Sequence, residues 1–385
     1  MLRAVAMVSL AVLSFTTMGV ATAYFAIQGN IKGADVTALL GTDRPTKKPA
    51  NPGDPNAGRD LNILLLGSDN RNGENGNIGG RVATGMRSDT TIIMHVSADR
   101  SRIELVSIPR DTWVTIPECR RRDGSTSQPW TTKFNAAFSV GGQSGVVTDA
   151  AACTIKTVEK MTGVLIDEYV VVDFVGFISM VNALGGVPIC VPNDMRSPKA
   201  KLNVKAGYQT LDGVTALAYA RARTGTGLGN GSDTGRIVRQ QQLLAATIHQ
   251  AQSKNLLTDV GSLYKFLDAA TSSLTTSPHL AKLSNVTGLA FSLRGIRSTD
   301  ITFLTAPWKP RGDGANVELT PAADAIWQRL IADLPLDPAS HSSGTSPSGG
   351  ATSSPGTTDA ASSSATAPAQ TTKTPGLDAA TSACG

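Results

Sequence analysis

The sequence predicts an α/β fold: one folded domain on a central β-sheet, with an apolar helix before it and a polar tail after it. Three observations predict this. Apolar, β-branched-rich runs at residues 62–66, 90–96 and 103–108 follow one another closely, each bounded by turn residues or charges. Such short runs between turn signals fit strands buried on both faces. Beyond residue 133 the chain alternates helical periodicity with further short strand signals, and its composition changes at both ends.

Residues 4–27 carry no charge and follow Arg3. As a helix, these 24 residues would span about 36 Å, enough for a bilayer core of roughly 30 Å. A cleaved signal peptide is the alternative, since Ala21-Thr22-Ala23 resembles a small-residue cleavage site. The run exceeds the roughly 7–15 residues of a signal core, which favours an uncleaved signal anchor. Arg3 then leaves residues 1–3 in the cytoplasm and the rest outside, as a single-pass protein of the cell membrane. Residues 28–58, rich in Pro, Gly and polar side chains, read as a linker.

The folded body is expected over residues 59–336. Val147, Ala151, Ile155, Val158 and Met161 fall at helical spacing, with a stop at Gly163. Residues 169–174 read as a strand, 177–184 as a short helix, and 187–191 as another strand. Residues 207–223 read as a turn, a short helix and two closing arginines, before a Gly-rich loop over 224–233. A strongly amphipathic helix covers about 236–252, a strand 301–305, and a last helix 322–334. Residues 337–385 hold no aromatic, Ile, Val or Met and cannot bury a core, so they are expected to be disordered.

A net charge of +5 and 5% aromatics permit anionic partners but supply neither the basic arm nor the stacking platforms of a nucleic-acid binder. The four cysteines lack CxxC spacing and the four histidines are scattered, which argues against zinc. Outside the cell, Cys119–Cys153 is the favoured disulfide, with unpaired buried thiols as the alternative.

There is no GxSxG elbow, SxxK or P-loop. What recurs is arginine at element ends: Arg71, Arg81, Arg87, Arg110, Arg221, Arg223, Arg236 and Arg239. Guanidinium holds phosphate oxygens bidentately and stays charged. Asp69, Asp89, Asp111 and Asp233 accompany these arginines. Carboxylates among phosphate-binding arginines commonly hold Mg²⁺. The pattern suggests a divalent metal and a pyrophosphate in one cleft.

Seven blocks make the pattern specific: GSDNR, RSDTT, SIPRDT, KFNAAF, VVDFxGF…LGGV, LDGxxALAYARAR and DTGRIVRQQ. In this order they resemble the LytR-CpsA-Psr family over about residues 60–250. With the strand–helix alternation, the resemblance implies a mixed central sheet sandwiched between helices (α-β-α). It further implies transfer of a polyprenyl-pyrophosphate-linked glycopolymer (teichoic acid, capsule or arabinogalactan) onto peptidoglycan. The acceptor would be the C6 hydroxyl of N-acetylmuramic acid, the product a phosphodiester, with polyprenyl phosphate released and Mg²⁺ assisting. Position by position, Asp69 and Asp89 match metal-associated aspartates, and Arg110, with these two, the catalytic set. Arg87, Arg110, Lys133, Arg221, Arg223, Arg236, Arg239 and Gln240 match pyrophosphate-binding positions. The apolar segments 146–161, 174–184 and 243–248 are the candidates for a lipid groove or, equally, ordinary core. Rival readings are a polyprenyl-pyrophosphate glycan hydrolase, a transcriptional attenuator, and a non-catalytic wall-binding protein.

Overall fold

The computed structural model describes residues 2–47, 58–69, 75–79, 86–228, 233–253 and 260–336. The expected tail, 337–385, and residues 48–57 lie outside the described residues.

A seven-stranded sheet forms the centre. Its strands are β1 (Lys32–Gly33), β2 (Leu61–Ser68), β3 (Ser88–Val96), β4 (Ile103–Ser107), β5 (Glu168–Val172), β6 (Leu274–Thr276) and β7 (Ile301–Thr305). Their order is β1-β6-β5-β2-β3-β4-β7. β2 runs antiparallel to β3 and β3 to β4, whereas β5 lies parallel to β2 and β7 to β4. The sheet is therefore mixed, as expected, and the carboxyl ends of β2, β4 and β5 share one edge with the start of β3.

Side chains of alternate residues leave a strand on opposite faces, so a strand buried on both sides must be apolar throughout. Leu64, Leu66, Ile93 and Val106 enter one core, with Ile155, Val158, Trp327 and Leu330. Those partners come from α2 (Val147–Thr162) and the C-terminal helix Pro321–Ile331. On the other face Leu65, Ile92, Met94 and Leu105 meet Leu244, Ala245 and Ile248 of the helix Asp233–Ser253. The sandwich has three layers.

Beside α5 (Asp233–Ser253), the helix on that second face, the chain adds α3 (Phe174–Ala183) and α4 (Gly213–Arg221). Asp173 and Asp212 accept hydrogen bonds from the Gly176 and Thr215 amides and so cap α3 and α4. The cap at Asp173 starts the helix three residues before the apolar periodicity suggested. Residues 207–211, read as a turn, are instead a strand paired antiparallel with Val187–Val191. Its Gly-Tyr-Gln-Thr-Leu sequence is too polar to announce one. Over residues 224–228 the glycines are needed because the chain passes tightly beside residues 194–197. Gly225 (φ +141°) and Gly227 (φ +73°) leave room where a Cβ would sit 2.1 and 2.0 Å from the Arg196 and Asp194 carbonyl oxygens.

The linker expectation is corrected over residues 28–47. Helix α1 (Leu2–Asn30) runs directly into the domain. Gln28 donates to the Ala281 carbonyl (2.8 Å) and accepts from the Leu283 amide, and Asn30 donates to Asp268 (2.8 Å). β1 pairs with β6, Val36 and Leu40 enter the main core, and Arg44 pairs with Glu159 at 2.6 Å. The Pro-rich composition near residue 50 masked a short apolar stretch, Val36 to Leu40, that belongs to the core. Most side chains of residues 2–16 lie outside the described set, and among the described residues no helix is long and apolar enough to cross a membrane.

The Cys119–Cys153 disulfide is formed, with both sulfurs buried, and Cys190 is disulfide-bonded too. It ties the loop after β4 to α2 across 34 residues. Replacing Cys119 and Cys153 by Ser is expected to cost about 2–4 kcal/mol, lowering Tm by roughly 5–10 °C. Scanning calorimetry of the double variant against wild type reads this directly. A chain beginning at Arg59 lacks Val36, Leu40 and the Arg44 ion pair. It should melt below the full chain, and an equal Tm would show that residues 28–47 merely lie on the surface.

Candidate active site

The site forms where β2, β3 and β4 end together. Between Gly67 and Ser68 the register slips, Gly67 facing Thr90 and Ser68 facing Ser88. Asp89 is the extra residue of this bulge. Bulges re-aim a side chain out of the sheet pattern, and here the result is a half-buried carboxylate at the sheet edge. The turn is fixed from both sides: Asp69 N–H donates to the Arg87 carbonyl (2.9 Å), and Arg87 N–H donates to Asp69 Oδ1 (2.7 Å).

Arg110, just past β4, donates from Nη1 to Asp89 Oδ1 at 2.8 Å. Arg236, in the first turn of α5 and 3% exposed, approaches Asp89 Oδ2 to 3.6 Å and donates to the Asp89 carbonyl. Asp111 stands 3.3 Å from Arg110 Nε on one side and accepts from Lys133 Nζ at 3.1 Å on the other. The result is a chain of charges, Lys133–Asp111–Arg110–Asp89–Arg236, drawn from four separate parts of the sequence. Burial opposes ionisation of Asp89, but Arg110, Arg236 and Arg223 outweigh it and hold its pKa below 3.8. Four cations, Lys133, Arg110, Arg236 and Arg223, meet two carboxylates, Asp89 and Asp111. The positive excess suits a doubly charged phosphate group.

α4 delivers the paired arginines. Arg221 ends the helix with its guanidinium 4.4 Å above the ring of Phe174, the first residue of α3. Arg223 follows in extended backbone and acts on Asp89. Two of the expected phosphate ligands are placed otherwise. Arg239 hydrogen-bonds the carbonyls of Tyr219 and Ala222, and Gln240 that of Ala220 at 3.3 Å. Both side chains hold the end of α4.

Of the remaining expected positions, Arg87 is exposed beside Asp69. Arg71, Arg81 and the side chain of Asp233 lie outside the described residues. Asp111, one of the carboxylates expected among the arginines, bridges Arg110 and Lys133. One residue went unassigned in the sequence. Gln241, the last residue of the RQQ block, is 1% exposed and donates to Ser107 Oγ (3.0 Å), the Leu304 carbonyl and Thr305 Oγ1. It ties α5 to the ends of β4 and β7.

Mg²⁺ usually takes one or two protein carboxylates and completes its shell with waters and substrate phosphates. Asp69 and Asp89, on adjoining strand ends and with Asp89 held anionic, fit that limited donor set. No group of three or more His, Cys, Asp or Glu able to hold a metal occurs among the described residues.

The fold and site together define an α/β protein with an arginine–aspartate cluster at the carboxyl edge of a mixed sheet. The chain belongs to the LytR_cpsA_psr family, whose model matches residues 23–331. It is similar to LcpB of Corynebacterium glutamicum, a probable cell wall biosynthesis protein: 34% identical over 235 residues, 58% of this chain and 51% of the relative. LcpA of the same organism is 30% identical over 273 residues, covering 64% and 49%. The chain spans about half the length of these two relatives. TagU of Oceanobacillus iheyensis is a polyisoprenyl-teichoic acid–peptidoglycan teichoic acid transferase. It is 30% identical over 274 residues, 71% of this chain and 72% of TagU. Among solved structures, Bacillus subtilis TagV superposes with a TM-score of 0.52 at 27% identity, over 72% of this chain and 98% of TagV. An Actinomyces oris LytR-Csp2A-Psr enzyme (TM-score 0.54, 19% identity, covering 78% and 96%) shares the fold.

The pairing of Asp89 sets a pH signature. A folded pKa below the unfolded value, about 3.9, gives stability that is complete above that value and lost as pH falls through the folded one. The Tm difference between wild type and Asp89→Asn should therefore stay constant from about pH 8 to 5 and shrink only below about 4. A difference that changes between pH 5 and 8 would show that another group controls it.

Proposed function

We propose that this protein is a membrane-anchored, extracytoplasmic phosphotransferase. It moves a polyprenyl-pyrophosphate-linked glycopolymer of teichoic acid, capsule or arabinogalactan type onto the C6 hydroxyl of N-acetylmuramic acid in peptidoglycan. The observation that carries this reading is the cluster in which Arg110, Arg236 and Arg223 converge on Asp89 with a net positive charge. The teichoic acid transferase name of TagU supports the substrate class.

In this reading the donor pyrophosphate lies against Arg110, Arg223, Arg221 and Lys133. The acceptor oxygen attacks the phosphorus that bears the glycan. The P–O bond to the second phosphate breaks, and polyprenyl phosphate leaves with the electron pair. Protein guanidinium groups already fixed in place stabilise the charge that builds on the phosphoryl oxygens and the leaving phosphate, with no reorganisation during the step. Asp89, kept ionised, accepts a hydrogen bond from the incoming hydroxyl and orients it, and the hydroxyl proton passes to the departing polyprenyl phosphate, directly or through water. Its low pKa makes it a weak base, so positioning is its larger contribution. Mg²⁺, when bound at Asp69 and Asp89, would neutralise part of the pyrophosphate charge.

Of the three apolar segments, 146–161 and 243–248 are largely core, and α3 differs from them. Phe174, Val175, Phe177, Ile178 and Met180 of α3 are only half-buried. That makes α3 the best support for an isoprenoid chain beside the pyrophosphate. Residues 4–27 supply the anchor, and Arg3 orients the domain to the outside.

The test uses the full chain in liposomes with Mg²⁺, a labelled polyprenyl-pyrophosphate glycan and peptidoglycan oligomers. Label should move to the oligomers, and Arg110→Ala should lower the rate by at least about 100-fold with Tm nearly unchanged. Label released only as free glycan phosphate would mean that water is the acceptor. Wild-type rates in Arg110→Ala would remove Arg110 from the chemistry.

A further inference from the structure

We infer that Arg239 is a positioning residue, which clamps the carboxyl end of α4 and so sets Arg221 and Arg223, rather than a ligand of the pyrophosphate. The inference rests on reading the arginine cluster as a pyrophosphate site. Arg239 sits two turns into α5 and is 6% exposed. Its Nε donates to the Tyr219 carbonyl at 3.4 Å and its Nη2 to the Ala222 carbonyl. The neighbouring Gln240 donates to the Ala220 carbonyl at 3.3 Å. Three of the four carbonyls from 219 to 222 are therefore held by two consecutive residues of α5.

The last carbonyls of a helix have no partner within it and form the negative end of its dipole. A cation placed there both satisfies them and fixes where the helix stops. Ala222 is the C-cap and has already left the helix, with φ −62° and ψ 130°. Its carbonyl points out of the helical pattern and would otherwise be buried without a donor. The planar fork of a guanidinium can bridge two carbonyls at fixed separation, whereas an ammonium holds only one point.

The two clamped carbonyls bracket Arg221, and Arg223 is the next residue but one. Rotation about the 222–223 backbone would swing Arg223 away from Asp89, and unwinding of the last turn of α4 would lift Arg221 from Phe174.

The test is a double-mutant cycle read with inorganic pyrophosphate, titrated calorimetrically into the full chain in detergent. Arg239→Lys keeps the charge but loses the fork, and the paired change Arg221→Gln with Arg223→Gln removes both guanidinium groups it is inferred to position. Arg239→Lys alone should weaken pyrophosphate binding about tenfold, and adding it to the paired change should alter affinity by no more than about twofold, because it acts through those two arginines. A further loss of about tenfold in that background would make Arg239 an independent ligand and overturn the inference. Wild-type affinity in Arg239→Lys, with or without a fall in Tm, would reduce it to a fold contact and overturn it too. Should Arg239→Lys fail to fold, Gln240→Ala reads the same coupling through Ala220. It should give a smaller loss that vanishes when Arg221 and Arg223 are both replaced by Gln, and a loss that persists there would sink the clamp. A wild type that binds pyrophosphate yet transfers no glycan would refute the transferase reading and leave the clamp standing. A wild type that binds no pyrophosphate would overturn both.

Discussion

The site depends on one carboxylate among guanidinium groups. Arg110 and Arg236 both lie within 4 Å of Asp89. Two unit charges about 4 Å apart near a protein surface interact by roughly 4 kcal/mol, so arginines gathered this closely repel one another strongly without an anion between them. Asp89 supplies that anion. It is placed there by the bulge at Gly67/Ser68, and that bulge requires β2 and β3 to be paired in this register alone. A slip by one residue would turn Asp89 back into the pleat and exchange the two core faces of the sheet.

The first turns of α5 join this edge to the rest of the molecule. Arg236 faces Asp89, Arg239 and Gln240 hold the end of α4, and Gln241 reaches the ends of β4 and β7. Four polar side chains within six residues thus address the bulge, α4 and two strands. A buried amide or guanidinium left without acceptors costs about 1–3 kcal/mol, so these contacts specify one arrangement of helix against sheet. At the opposite edge, His95 is fully buried between Asn62 Oδ1 (2.7 Å) and Asp333 Oδ1 (3.1 Å), and Arg102 also pairs with Asp333. Polar contacts there close the domain, whereas those at the carboxyl edge leave a positive excess for a ligand.

Much of this was legible in the sequence. The apolar runs became β2, β3 and β4, and the helical spacing from Val147 to Met161 became α2 with Gly163 as its αL stop. Asp69, Asp89, Arg110, Arg223 and Arg236 were picked out because charges at strand ends have little structural reason to gather. The strand at Gly207–Leu211 was hidden, since its pairing comes from Val187–Val191 and not from its own pattern. Residues 28–47 were also misread. Their composition says linker, and only β6, Glu159 and the core around Leu40 show what they dock against.

By itself the sequence determined most of the strands and helices and which arginines and aspartates stand near element ends. These are local properties, carried by periodicity, capping and charge over a few residues. Only the tertiary structure decided which of those charges face one another. Arg239 and Arg236 are three residues apart on one helix, yet one is held by backbone carbonyls and the other by Asp89. That difference arises because α4 and β3 reach α5 from distant parts of the chain, and a guanidinium binds whichever oxygens packing brings to it.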